Sequence, residues 1–446
     1  MTPLSPSAPP PLVPVAGNGL LDRRLFLTRS FQSVAALSGV LGATHAAAAT
    51  PPEPWMHTPG APFSNYGHPS NHEAHLIRWI SAASDLPQNG ISWTPLQDLD
   101  GIITPSGLHF ERHHNGVPQI DPKQHALIIH GACQRPLKFD RASLLRYPRH
   151  SQILFIECGG NSNAGWNPKP IQTPVGYFHG LVSCSEWTGV PLRILLDEAE
   201  IDPNAQWLIA EGADAFGMTI SLPLAKARLD CMIGLFQNGE PLRPEQGYPM
   251  RLMVPGWEGV THVKWLRTLQ IATAPVMARN ETSRYTELQP NGKARMFTWI
   301  MDAKSLITSP SAGMRLPGPG FYEISGLAWT GRGKVAKVEV SADAGKTWAA
   351  AELNAPVLPH AFTRFRIPWQ WDGKPAVVQS RVTDETGYLQ PTRAALLAER
   401  GQQGYFHYNA IVSWQVQPDG AVRHIYIGDT AATSNDAADP FDAPWQ

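Results

Sequence analysis

The run Gln152–Cys158, QILFIEC, is largely apolar and stops at a cysteine followed by Gly159, Gly160 and Asn161. Such a run reads as a buried strand, and paired glycines cannot extend it. The chain must therefore build a sheet in which one strand ends at Cys158 and opens into a loop. Open sheets present their chemistry at such strand ends.

Composition agrees with a turn-rich, β-dominated chain. Among 446 residues there are 42 prolines and 38 glycines, and only 16% are charged, which argues against a helical bundle. The length allows two or three domains with sizeable cores. A formal net charge of −1 gives no reason to expect nucleic-acid binding, which calls for a basic patch. No apolar run reaches the ~18 residues that a membrane-crossing helix needs.

Near the N-terminus, Arg23-Arg24 precede Leu25-Phe26-Leu27 and a mildly apolar stretch ending in small residues, Ala46–Ala49. This is the pattern of a twin-arginine signal peptide over residues 1–49, with an apolar region too short to anchor. It implies export to the periplasm of an already folded chain, often one folded around a cofactor, and leaves residues 1–49 outside the fold. Four cysteines remain for an oxidising destination: Cys133, Cys158, Cys184 and Cys231. One or two disulfides are possible, but no disulfide framework is. The absence of any CxxC pair excludes a c-type haem attachment and a zinc ribbon in this chain.

Residues 50–100, rich in Pro, His and Asn, read as an extended arm. From 101 to 274 strands and short helices alternate: HALIIHG, QILFIEC, WLIAEGAD, MRLMVPG and HVKWLRTLQIA as strands, PLRILLDEAEI as a helix. CMIGLFQNGEPL reads as a hairpin turning at Asn238-Gly239. This is an α+β domain with a mixed sheet. Residues 275–299 are a polar linker. Residues 300–430 alternate apolar and polar positions across tight turns, the pattern of an immunoglobulin-like β-sandwich, and 431–446 form a disordered tail. Trp348, Trp369, Trp371 and Trp414 fall at core or interface positions of the sandwich.

A cysteine at a strand end is open to three readings: disulfide partner, nucleophile or metal ligand. No neighbouring base or helix start lowers its pKa. A single soft thiolate beside glycines suits a thiophilic metal held mainly by its own organic cofactor. Arg112, His113 and His114 of FERHH, Arg251 of EQGYPMR, and His262 and Lys264 of HVKWL supply cations and hydrogen-bond donors suited to a phosphate-bearing ligand. The last two are expected on one face of a strand.

These segments, taken in order, resemble the sulfite oxidase family of molybdenum enzymes over most of the chain, from about Ile102 to Trp414. Phe110-Glu111-Arg112-His113-His114 matches F-x-R-N-H, with His113 in place of asparagine. Cys158-Gly159-Gly160-Asn161 matches C-A/G-G-N, and Gly180, Ser183, Trp187 and Gly189 match G-x-x-S-x-x-x-W-x-G. Asp214 falls on the carboxylate of E-G-x-D. Gly247, Tyr248, Pro249 and Arg251 match G-F-P-x-R, with Gln246 where the family has a histidine. His262-Val263-Lys264-Trp265-Leu266 matches H-V-K-W-L unchanged, and Tyr285 fits the family's active-site tyrosine. The resemblance implies a sulfite oxidase fold with a C-terminal immunoglobulin-like dimerisation domain. It implies molybdopterin-bound molybdenum with Cys158 as its only protein ligand, and oxygen-atom transfer to sulfur. Cys158, Tyr285 and Arg112 are then the catalytic set. Phe110, Arg112, His113, His114, Ser183, Asp214, Gln246, Arg251, His262, Val263 and Lys264 bind the cofactor, and Cys133, Cys184 and Cys231 are structural thiols.

Two departures bear on the substrate. Sulfite-binding members carry an arginine five residues past the cysteine, where this chain has Asn163, and a second late in the last domain, where it has Asn409. Losing two charge-assisted contacts of roughly 1.5–3 kcal/mol each weakens free-sulfite binding by orders of magnitude. Several stretches, among them DGIITPSGLHFERHH and FTWIMDAKSLITSPS, are similar to the sulfane dehydrogenase subunits of periplasmic sulfur-oxidising (Sox) systems. That similarity implies sulfane sulfur on a carrier-protein cysteine as substrate, a c-type cytochrome subunit as electron acceptor, and a homodimer. The alternatives are a periplasmic sulfite dehydrogenase that binds its anion through Arg284 or Lys169, and a secreted binding protein that has lost the cofactor.

Overall fold

The computed structural model describes residues 14–22, 53–82, 88–402 and 404–427. The expected signal core, including Arg23 and Arg24, and the expected tail lie outside these residues.

The first domain is built on two five-stranded sheets. One runs Thr219–Pro223, Trp207–Gly212, Leu266–Ala272, Leu127–Gly131, Leu137–Phe139, and the pair Leu266–Ala272 with Leu127–Gly131 is parallel, which makes the sheet mixed. The other is antiparallel: Glu240–Pro241, Met232–Gln237, Val182–Pro191 and His150–Glu157 in order, with Arg251–Met253 also on Met232–Gln237. Leu127, Ile129, Leu208, Leu269, Ile233 and Leu252 share one core with Leu192, Leu195 and Leu196 of the helix Leu192–Glu198. The hairpin turns where expected, with Asn238 and Gly239 both at positive φ, as a tight two-residue turn requires.

His150–Glu157 goes from exposed at its start to fully buried over its last four residues. One edge pairs with Val182–Pro191, with Phe155 opposite Cys184 and Glu157 opposite Val182. Past its other edge lies the second domain, where the His360 carbonyl accepts from the Phe155 amide at 2.8 Å. The strand therefore brings Cys158 to a point enclosed by both domains.

The second domain is a β-sandwich. Lys304–Ser309, Gly320–Trp329 and Thr363–Trp371 dominate one sheet; Val335–Ser341, Ala376–Asp384, Ser413–Val416 and Val422–Ile425 form most of the other. Trp329, Trp369, Trp371 and Trp414 are all buried between them, whereas Trp348 is half-buried under the Arg381 guanidinium.

Four local expectations need correction. His262 and Lys264 are not on a strand: His262 ends the turn Gly259–Thr261, and the strand begins only at Leu266, after Trp265 with φ +52°. The linker is not plain polar coil, since it folds into the helix Arg279–Ser283 and a hairpin of Thr286–Leu288 with Ala294–Met296. Part of the arm is sheet, because Trp79–Ala82 and Gly90–Trp93 pair in series with Glu111–His113. Finally, Pro14–Asp22 packs on the sandwich instead of standing apart from the fold. Leu20 and Leu21 are buried, and the Trp369 indole donates to the Asn18 carbonyl at 2.6 Å.

Candidate active site

Cys158 sits in a closed turn. Its amide donates to the Leu181 carbonyl and its carbonyl accepts from the Asn161 amide, both at 2.9 Å. The Asn161 side chain bridges back, donating to Glu157 Oε1 at 2.9 Å and accepting from the Leu181 amide at 3.1 Å. Glu258 packs directly on Gly159: a Cβ there would fall 1.7 Å from Glu258 Oε1, so any larger residue would displace that carboxylate. Ser162 adopts a left-handed backbone at φ +66°, and its Oγ lies 2.6 Å from both Lys304 Nζ and His179 Nδ1. Such strain persists only where the surroundings impose it. They do: Glu157 and Lys304, each 2% exposed, are 3.1 Å apart, and the Trp329 indole donates to Glu157 Oε2 at 2.6 Å. Lys304 and Trp329 come from the second domain, which thus clamps the cysteine turn.

Around Cys158 opens a cleft with about 750 Å³ of space, part of it open to solvent. It brings together Phe110, Arg112, His113, His114, Cys158, Asp214, Gln246, Arg251, His262, Val263, Lys264 and Tyr285, segments far apart in sequence. Ser183 does not reach it. The Ser183 hydroxyl instead accepts from the Phe110 amide at 3.0 Å and meets Thr94 Oγ1 at 2.6 Å, so it positions the cleft wall from behind. Lys169 is exposed and does not line the cleft. Asn409 is buried in the second domain, donating to the Ala303 carbonyl and the Tyr388 hydroxyl, and so does not face the cleft.

The walls carry cations held in low dielectric. Arg251 is buried between the Gln246 and His262 carbonyls, 5.0 Å over the Trp187 ring, and desolvation lowers its pKa to about 9. Lys264 donates to the Arg112 and Glu245 carbonyls and lies 2.9 Å from His113 Nδ1. Burial, reinforced by Arg251, brings it down to about 7. His113 is tied on its far side to Glu111, at 2.6 Å. His114 stacks on Phe216 at 4.0 Å, and burial followed by the Arg112 charge holds it neutral with a pKa of about 3. The Asp214 carboxylate accepts from the Gly217 amide at 3.1 Å. Burial pushes the Cys158 thiol up to about 11, so a metal taking this sulfur must displace a proton.

Two polar atoms on these walls are buried without a hydrogen-bond partner, Arg251 Nε and His109 Nε2. Arg251 Nε is a donor, whereas His109 Nε2 is an acceptor, because Nδ1 of this neutral ring donates to the Phe110 carbonyl at 3.0 Å; such orphaned groups are costly unless a ligand satisfies them. The cleft therefore suits an anionic, hydrogen-bonding organic group larger than a single ion, with a soft thiolate at one end. Among the described residues no cluster of three or more His, Cys, Asp or Glu could by itself hold a metal. A metal carried by such an organic group fits this donor set; a protein-only metal cage does not.

Sequence reasoning missed His109, which stacks on Phe110 at 5.2 Å and lines the cleft two positions before Glu111. It also missed Glu258 and Lys304. The segment DAKSLITS around Lys304 mixes polar and apolar residues and gave no local signal for the latter. All four cysteines are free. Cys184 and Cys231 are buried, with burial pushing Cys184 to about 12 and Cys231 further up, as inert structural thiols require.

Residues 114–280 match the family model described as oxidoreductase molybdopterin binding domain, and residues 295–413 match the Mo-co oxidoreductase dimerisation domain. Among solved structures, the sulfane dehydrogenase SoxCD from Paracoccus pantotrophus is 43% identical, with a TM-score of 0.82, covering 86% of this chain and all of that one. Mitochondrial sulfite oxidase of Drosophila melanogaster is 30% identical over 66% of this chain and 54% of the relative. NADH nitrate reductase of Solanum lycopersicum is 28% identical over 66% of this chain and 36% of the relative. The chain thus spans about a third to a half of the length of these curated relatives. Given the fold, the cleft and these likenesses, the chain belongs to the sulfite oxidase family of molybdopterin-binding oxidoreductases.

Proposed function

We propose that this chain is the molybdenum subunit of a periplasmic enzyme that oxidises sulfane sulfur carried on a cysteine of a carrier protein. Its electrons pass to a c-type cytochrome subunit. Each oxygen atom added to sulfur comes from water and releases two protons and two electrons, which a one-electron carrier takes in two steps. The molybdenum, when bound, supplies the oxygen-transfer and redox chemistry. The chain's own residues do the rest. Cys158 ligates the metal, with the turn Glu157–Ser162 fixing its direction. Arg251, His262, His113, His114, Lys264 and Arg112 bind the pterin and its phosphate, with Gln246, Phe110, Val263 and Asp214 completing the wall and Ser183 supporting it. Tyr285 stands at the reacting end beside Cys158. The second domain pairs two copies into a homodimer, and the Arg23-Arg24 leader exports the folded chain.

One observation carries the choice of substrate. Asn163 stands in the turn beyond Cys158, near Tyr405, where sulfite-binding members place a guanidinium. The likeness to a sulfane dehydrogenase over the whole of that chain supports the same choice. Arg284 favours a second reading, a sulfite dehydrogenase, because its charge is felt by both His114 and Tyr405. Steady-state turnover of carrier-bound sulfane against free sulfite, with a one-electron acceptor, separates them. The first reading requires at least tenfold higher kcat/KM for the carrier-bound form; faster turnover of free sulfite rejects it.

A further inference from the structure

Beside the cleft, a segment of the second domain also approaches Cys158 Sγ. After the helix Arg393–Arg400, the second domain sends Gly404–Asn409 back across the cysteine turn. The His407 amide donates to the Gly159 carbonyl at 2.8 Å, and His407 Nε2 lies 3.6 Å from Glu258, with both side chains 4% exposed. His407 is held at φ +56°, an uncommon backbone for a non-glycine residue. That anchor fixes the two residues before it. A Cβ placed on Gly160 would lie 3.7 Å from the Tyr405 ring, 3.9 Å from the Phe406 ring and 3.9 Å from Cys158 Sγ. The two rings and the sulfur therefore converge around one glycine that carries no side chain. Tyr405 and Phe406 pack edge to face at 4.7 Å, and Phe406 stacks on Tyr285 at 5.2 Å. Tyr405 is 41% exposed, so its ring forms an outer lip beside the cleft.

Resting on the substrate reading above, we infer that Tyr405 and Phe406 are specificity-determining residues. They form an aromatic lip that receives the uncharged stem of a peptide-tethered sulfur chain and disfavours a hydrated free oxyanion. Aromatic faces and edges offer dispersion contacts to sulfur and methylene groups. They offer a dianion none of the bidentate pairing that a guanidinium gives.

The test compares full-length molybdenum-loaded wild type with Tyr405→Ala, Phe406→Leu and Tyr405→Phe. Two probes are used: a cysteine persulfide on a flexible peptide, and free sulfite, each with the same one-electron acceptor. Molybdenum content is measured on every sample. Tyr405→Ala is expected to lower the persulfide-to-sulfite ratio of kcat/KM at least tenfold, mainly through a higher KM for the persulfide. Tyr405→Phe keeps the ring and is expected to stay near wild type. Phe406→Leu, a milder change, is expected to lower the persulfide-to-sulfite ratio about threefold and secures the test if Tyr405→Ala loses metal. A wild type that prefers the persulfide, with variants that keep the same ratio, overturns the inference alone. A wild type that prefers sulfite overturns it together with the substrate reading.

Discussion

Arg251 shows how much a single residue must do in this cleft. Its guanidinium is buried, receives two backbone carbonyls and leaves Nε unpaired. An anionic ligand accepting from Nε would gain roughly 1.5–3 kcal/mol. Replacing Arg251 with Met should therefore lower cofactor retention at least tenfold, measured as molybdenum per chain after gel filtration. Retention equal to wild type would remove Arg251 from the binding wall. Two departures from the family motif also meet here. His113 stands where the family has asparagine and Gln246 where it has histidine, yet both line one cleft, so the imidazole is relocated instead of lost. At this scale the sequence was highly legible because motif segments carry the wall. Ser183 was assigned to the wall itself because a motif gives a position in the chain, not the direction in which a hydroxyl points.

Elements were read less evenly, and the physical reasons differ. Strands such as Gln152–Glu157 were legible because burial on both faces leaves an apolar run. The burial of Lys304 was not, because a lysine opening a mixed strand reads as solvated until its partner is known, and Glu157 lies 147 residues away. The helix Arg393–Arg400 was missed although Thr392 caps it, accepting from the Ala395 amide, and Gly401 ends it at φ +86°. His262 and Lys264 were placed on a strand because alternation in HVKWL mimics one, whereas Trp265 at positive φ breaks it. The Glu157–Lys304 pair yields a prediction. Lys304→Met leaves a buried carboxylate uncompensated and should destabilise the fold by roughly 3–5 kcal/mol. Adding Glu157→Gln should recover more than half of that in denaturant unfolding. Additive losses would show that the pair is not coupled.

The two domains form one unit around the cysteine turn, and a second contact joins them at His424. This buried imidazole, on the second-domain strand Val422–Ile425, lies 3.1 Å from the Ile171 carbonyl and packs on Phe178 of the first domain. Burial lowers its pKa to about 4, below the ordinary value of 6.5. The unfolded chain therefore takes up this proton first on acidification. The stability contributed by the neutral ring is complete above pH 6.5 and is lost as pH falls toward 4, at most roughly 3 kcal/mol. His424→Gln, whose amide can still donate to Ile171, should flatten the fall in unfolding free energy between pH 6.5 and 4.5; an unchanged slope would assign the acid sensitivity to other histidines. Assembly of the whole molecule was legible as a sandwich following an α+β domain. The packing of Pro14–Asp22 on that sandwich was not, because a leader pattern directs attention to the arginine pair and away from Leu20 and Leu21 before it. The account as a whole stands on the sulfur of Cys158 completing the coordination of a pterin-held metal. X-ray absorption at the molybdenum edge, on wild type and Cys158→Ser, tests this most directly. The sulfur shell should lose one scatterer in the variant, together with turnover, and a shell unchanged in the variant would contradict the account.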